Sequence, residues 1–195
     1  MQLKQIAKLV KRTHLIEVLN KVNDVGETDR LFIGDGYALY ETDGLSEMVT
    51  EKLLLTIFDI PKDEWGAYRF YMHTESAWDA LEDTFSQEDE SAAKATGLRL
   101  KYLSAEVMPV FSDHGMLLID PEHLTPIRDE IKKGEVGFFT RIGHASIIVK
   151  KGMCVTIAEI KGIKIGEIFE GEVLRTAAEI DRQKRIREEG ETLHD

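Results

Sequence analysis

A single cysteine, Cys154, stands in the 195 residues, so an intrachain disulfide is excluded. Its place in an alternating apolar segment predicts a buried thiol rather than a reactive one. No run of about 18 uncharged apolar residues occurs, which excludes a membrane-spanning helix from the reading. The basic, polar stretch from Met1 to Arg12 lacks the apolar centre of a secretory signal, and a cytoplasmic protein without a membrane partner is expected. Gly34-Asp35-Gly36 lacks the third glycine of a dinucleotide loop and leads into a strand, so no helix N-terminus is there to hold a pyrophosphate; turn chemistry is the reading. The acids from Glu75 to Glu90 contain no Asp-x-Asp-x-Asp-Gly calcium loop. No cofactor is expected.

What is present suffices for a core. At 43% hydrophobic, the chain fits one domain or two small ones. The net charge of −11 is unevenly spread. Residues 72–96 hold seven acids, Glu75, Asp79, Glu82, Asp83, Glu88, Asp89 and Glu90, against the one base Lys94. Residues 1–22 instead carry Lys4, Lys8, Lys11, Arg12 and Lys21 against Glu17. A basic leading segment and an acidic middle result.

Periodicity divides the chain. Leu3, Ile6, Ala7, Leu9 and Val10 share one helical face and leave Lys4, Lys8 and Lys11 on another. Residues 14–22 and 31–40 read as strands, broken at Gly34-Asp35-Gly36 where positive φ is needed. Leu53 to Ile60, an eight-residue apolar run stopped by Pro61, reads as a buried strand, with helix as its alternative. Tyr68 to Met72 reads as another strand. Thr74 to Thr96 reads as a surface helix followed by a loop, Ala77, Trp78, Leu81 and Phe85 falling at helical spacing. Leu98 to Phe111 reads as a hairpin linked by Ser104-Ala105-Glu106. Met116 to Ile119 leads into a helix that Asp120 caps and Pro121 opens, shortened by Pro126. Three strands follow between residues 135 and 160, and Phe169 to Glu189 reads as a closing helix with Phe169, Val173, Ala177 and Ile180 inward.

The strings Leu31 to Tyr40, Leu53 to Ile60, Leu118 to Asp129 and Ser146 to Ile157 resemble those of uncharacterised proteins from prophages of Gram-positive bacteria, over about half the chain. The order strand, helix, three strands, stated twice, is similar to one domain of the sliding-clamp processivity factors. With the periodicity it gives the expectation of an α+β fold with a mainly antiparallel sheet of two related, clamp-like strand-helix-strand-strand-strand units, to which the periodicity alone adds a C-terminal helix. Residues 1–160 would form one domain, with units at 1–60 and 98–160 and an acidic insertion at 72–97; residues 161–195 would add the accessory helix. The insertion, the added helix and the length depart from the clamp pattern, so ring closure and DNA encirclement are not implied.

Three functions follow as expectations. The first is a noncatalytic interaction module of phage DNA metabolism, Lys4, Lys8, Lys11 and Arg12 meeting phosphates or an acidic protein partner. The second is an acidic DNA mimic in which Glu75 to Glu90 blocks a DNA-binding protein. The third is an enzyme with a site dispersed over His114, His123 and Glu122. Ser112-Asp113-His114 sets hydroxyl, carboxylate and imidazole side by side, but a triad is a spatial arrangement and consecutive residues rarely supply it. His114, Asp120 and His123 match no compact metal motif, so His114 and His123 are weak metal candidates. Trp65, Trp78, Tyr68, Phe70 and Tyr71 are read as core aromatics before a base-stacking surface. Exposed strand edges leave a homo-oligomer open.

Overall fold

The leading helix forms where the spacing places it. In the computed structural model, which describes residues 3–22, 28–42, 49–73, 90–152, 155–166, 170–176, 178–180 and 182, α1 (Leu3–Thr13) buries Ile6, Ala7, Leu9 and Val10 and exposes Lys4, Lys8, Lys11 and Arg12. It stops at His14, whose amide bonds to Val10 O and whose φ of 56° is left-handed. An antiparallel meander follows, β1 (Leu15–Val22), β2 (Thr28–Gly34) and β3 (Ala38–Glu41).

Leu53 to Ile60 is a correction: it is not a strand. Residues Glu51–Ile57 form α2, with Thr50 as N-cap accepting from Leu53 N at 3.3 Å. Leu54, Leu55 and Phe58 are buried while Leu53 and Ile57 are partly exposed, a helical stripe hidden inside an apolar run. Asp59 at φ 53° ends it. A 3₁₀ turn (Lys62–Ala67) then delivers β4 (Arg69–His73), which lies parallel to β1, and Glu17 Oε1 meets His73 Nε2 at 2.6 Å.

A second correction concerns the acidic stretch. Glu90–Ala95 is a strand, β5, rather than loop; the helix expected before it lies outside the described residues. The hairpin β6 (Leu100–Tyr102) and β7 (Ala105–Ser112) turns one step earlier than expected, at Leu103-Ser104, both with positive φ. Ala105 and Glu106 already pair with Tyr102 and Lys101. Then come β8 (Gly115–Ile119), a 3₁₀ segment (Pro121–Ile127) capped by Asp120 as the sequence predicts, and α3 (Arg128–Lys132). A second antiparallel meander comprises β9 (Val136–Arg141), β10 (Ser146–Lys151) and β11 (Val155–Lys161). After Gly162, β12 (Ile163–Lys164) pairs with β8, and residues 170–176 are helical.

This is a mixed α+β fold on a mostly antiparallel sheet, twelve-stranded among the described residues, in the order β12-β8-β7-β5-β9-β10-β11-β3-β2-β1-β4 with β6 beside β7. The two meanders meet through their last strands: Ala158, Glu159 and Ile160 of β11 pair with Tyr40, Leu39 and Ala38 of β3. Arg30 reinforces that seam, its Nε 2.7 Å from Glu41 Oε1 and its Nη2 2.5 Å from Thr156 O. Since β11 continues through Gly162 into β12, the pairings run in a closed circuit, β5-β9-β10-β11/β12-β8-β7 and back to β5. The main core joins α1 (Ile6, Val10) and the 3₁₀ segment (Ile127) to Ile16, Ile33, Tyr40, Ile147 and Ile160 of the sheet. Both faces of β7 and β8 are used: Val110, Leu117 and Ile119 enter that core, while Val107, Met116 and Leu118 form a smaller one with Val173 of the closing helical segment. No helix among the described residues is long and apolar enough to cross a membrane.

Candidate functional site

The turn between β2 and β3 is built by three residues. A Cβ on Gly34 would stand 1.7 Å from Ala38 O, and Gly36 holds φ +87°, a conformation that side chains other than glycine disfavour. Between them Asp35 is completely buried, its Oδ1 accepting from the amides of Tyr37 (3.1 Å) and Ala38 (3.0 Å). The turn chemistry read from the sequence is therefore present. What the sequence did not signal is the other carboxylate oxygen: Asp35 Oδ2 lies 3.2 Å from His123 Nε2, an 88-residue separation closed by the packing of α1 and the 3₁₀ segment over the sheet.

His123 is 3% exposed. The Tyr40 hydroxyl donates to its carbonyl at 2.7 Å, anchoring the 3₁₀ segment to β3. Burial pushes the Asp35 carboxyl upward, but the His123 hydrogen bond and charge, with the Tyr37 and Ala38 amides, outweigh it and hold the group below its ordinary value. Asp35 is thus a carboxylate, and Nε2 of His123, 3.2 Å from Oδ2, is placed to donate to it. Burial, together with the charges of Asp35 and Asp120 and against that of Arg12, raises the Tyr40 phenol well above its usual range, so it remains a donor. Arg12 Nη2 lies 3.4 Å from the same imidazole nitrogen and 2.8 Å from Asp120 Oδ2. With Nε2 facing Asp35, the guanidinium directs its charge to Asp120 and ties the end of α1 to the cap of the 3₁₀ segment.

His123 borders an open pocket of about 410 Å³. Val107, Leu118, Tyr37 and Ile163 give it an apolar lining, and Arg12 and Lys161 add cations. Lys161 Nζ donates to Gly36 O at 2.9 Å. The Tyr37 ring, 57% exposed, lies 6.2 Å from the imidazole centroid, tilted by 32°. The second imidazole nitrogen, Nδ1, is buried without a hydrogen-bond partner, 4.0 Å from Asp120 Oδ2.

The four basic residues singled out on α1 divide. Lys4 and Lys8 are exposed and make no ion pair among the described residues, whereas Lys11 Nζ donates to Asp59 O at 3.0 Å and Arg12 is held by Asp120. Lys8 shares a groove between α1 and the 3₁₀–α3 region with Arg99 and Arg128, facing Glu122. The hydrogen bond and ion pair with Glu106 raise the Arg99 pKa above its ordinary value.

Other sequence candidates are not assembled into a site. Ser112 Oγ donates to Gly115 O and accepts from His114 N and Thr140 Oγ1, and Asp113 Oδ2 accepts from Ser91 Oγ, so the proton of that hydroxyl is committed to a backbone carbonyl. His114 stands just before β8, and His123 lies within the 3₁₀ segment that follows it. No group of three metal-ligating side chains occurs among the described residues. Glu122 is exposed while its neighbour His123 is buried. Glu90, one of the seven clustered acids, is drawn inward, its Oε2 2.5 Å from Lys150 Nζ, with side chains 7% and 2% exposed. The acids from Glu75 to Asp89, Trp78 and Cys154 lie outside the described residues. Tyr68 is buried, Trp65 Nε1 donates to Ile60 O at 3.0 Å, and Tyr71 is half exposed. Comparison of the chain with protein-family models, with curated proteins and with solved structures finds no match in any of the three.

Proposed function

We propose that this protein is a noncatalytic, clamp-like binding scaffold of phage DNA metabolism that contacts the phosphate backbone through the exposed side of its helical layer. The observation that carries the reading is the antiparallel pairing of β3 with β11. It joins two helix-plus-meander segments into one sheet, with α1 and the 3₁₀–α3 region side by side on it. That layer presents Lys4 and Lys8 from α1 and Arg128, Lys132 and Lys133 from the second helical region, all exposed. The overall charge is strongly acidic, so any duplex contact is local and depends on this patch.

Fluorescence anisotropy with a labelled duplex, at salt concentrations from low to physiological, tests this. Binding should weaken steeply with salt, and Lys4→Glu with Lys8→Glu should lower the slope of log K against log salt by about 2, roughly one unit per lost phosphate contact. Absence of binding at low salt, or a slope unchanged in the double variant, removes the proposal. A cytoplasmic setting, a protein partner and self-association through β4, which ends the strand order, belong to the same reading.

A further inference from the structure

The open pocket between β7, β8 and the chain that crosses from β11 to β12 takes no part in the backbone contact proposed above. We infer that it is a binding site for a small aromatic monocarboxylate, whose ring rests among Tyr37, Val107, Leu118 and Ile163 and whose carboxylate pairs with the Lys161 ammonium.

Charge is the first constraint. Arg12, Glu106, Asp120 and Lys161 line the pocket. Three of them are already matched: Arg12 Nη2 lies 2.8 Å from Asp120 Oδ2, and Glu106 pairs with Arg99. Lys161 is the exception. Its Nζ donates to a neutral carbonyl, Gly36 O, at 2.9 Å, and it makes no ion pair among the described residues. An ammonium has three donors, so two remain for a ligand at the pocket wall. The backbone puts the group there. Lys161 N donates to Tyr37 O at 2.8 Å, and a Cβ on Gly162 would stand 3.2 Å from Leu118 O, so the chain runs close against β8 with Lys161 and Ile163 both on the wall. His123 also borders the pocket, but its Nδ1 is buried and its Nε2 faces Asp35, so the imidazole offers a ligand only its ring.

The rest of the wall limits which anion fits. Val107 and Leu118 are buried, Ile163 is half exposed, and the Tyr37 ring is 57% exposed. A phosphate-type dianion would give up strong hydration against these apolar groups for a single free cation. A cationic ligand would meet Lys161 and Arg12. A monocarboxylate with an apolar body meets neither conflict, and its bond to the ammonium is charge-assisted. Offset stacking on a tyrosine favours a planar ring over an aliphatic chain as that body. About 410 Å³ accommodates a one- or two-ring acid.

The test uses the full-length chain and two probes of nearly equal shape at neutral pH, p-toluate, which is charged, and p-toluamide, which is not. Binding is followed by NMR through the methyl signals of Val107, Leu118 and Ile163. p-Toluate should saturate these signals and bind about tenfold more tightly than p-toluamide, the factor expected when a neutral hydrogen bond becomes a charged one. Lys161→Met, a change at an exposed side chain, should weaken p-toluate about tenfold and leave p-toluamide within twofold, while Lys161→Arg should keep most of the preference for the acid. Ile163→Ser should weaken both probes about threefold. Equal affinities of the two probes, an equal loss for both in Lys161→Met, shifts confined to other residues, or no saturable binding up to the solubility limit of p-toluate would each overturn the proposal.

Discussion

At the scale of single residues, Asp35 and His123 are the pair on which most of the local organisation turns. Asp35 sits where its backbone makes a tight turn possible, and its carboxylate is held charged in the interior by two amides and an imidazole. The sign of its effect on stability follows. A carboxyl whose native pKa is depressed contributes stability that is fully present above the unfolded value and is lost as pH falls through the lowered native value. Asp35→Asn should therefore lower stability at neutral pH, by about 2 kcal/mol, and flatten the acid limb of a plot of urea midpoint against pH. An acid limb as steep as that of the parent protein would show that other carboxylates govern it. The turn was legible as Gly-Asp-Gly. The partnership was not, since nothing local to residue 35 points to residue 123.

Elements were legible where one period dominated. In α1 the apolar and basic residues separate cleanly at helical spacing, and Asp120-Pro121 announces a helix start by its own chemistry. Leu53 to Ile60 failed because consecutive leucines fit either period, and the N-cap at Thr50 together with burial of Leu54, Leu55 and Phe58 decided for helix. β5 failed for the opposite reason. Glu90–Ala95 has almost no apolar alternation, and it becomes a strand by filling the place between β7 and β9. The β6–β7 hairpin carries a further element-level consequence. Its two turn residues are Leu103 at φ 46°, 83% exposed, and Ser104 at φ 72°, where asparagine and glycine are the preferred pair. Leu103→Asn with Ser104→Gly should stabilise the protein by roughly 1 kcal/mol, read as a rise in Tm of about 3 °C. A lower Tm would mean that Leu103 makes a contact that holds the hairpin.

At the scale of the whole molecule, the sheet is tied together by a charge pair far from water. Lys150 of β10 and Glu90 of β5 meet across β9, with the Lys150 ammonium 5.3 Å from the centre of the Phe139 ring and Glu90 Oε1 left without a partner. Such a pair is weak evidence for net stability, but its halves are strongly interdependent, because either one alone is a buried charge. Lys150→Met alone should cost about 3 kcal/mol in denaturant unfolding, and adding Glu90→Leu should restore most of the loss. Additive losses in the double variant would show that the two charges do not compensate each other. The pair also bears on the acidic-mimic expectation, since Glu90 is not on the surface that such a mimic would present.

By itself the sequence determined the local vocabulary: the amphipathic leading helix, the capped start at Asp120, the Gly34-Asp35-Gly36 turn and the alternating strands that follow each helical region. Those features arise from backbone conformation and from periodicity, which are properties of neighbouring residues. Only the tertiary structure decided that β3 and β11 share an edge, that a nearly featureless segment becomes β5, that Arg12 pairs with Asp120, and that Asp35 reaches His123. Each of those depends on which distant surfaces exclude water together, and the energy of a buried charge or an unmet lone pair exists only once that exclusion is complete.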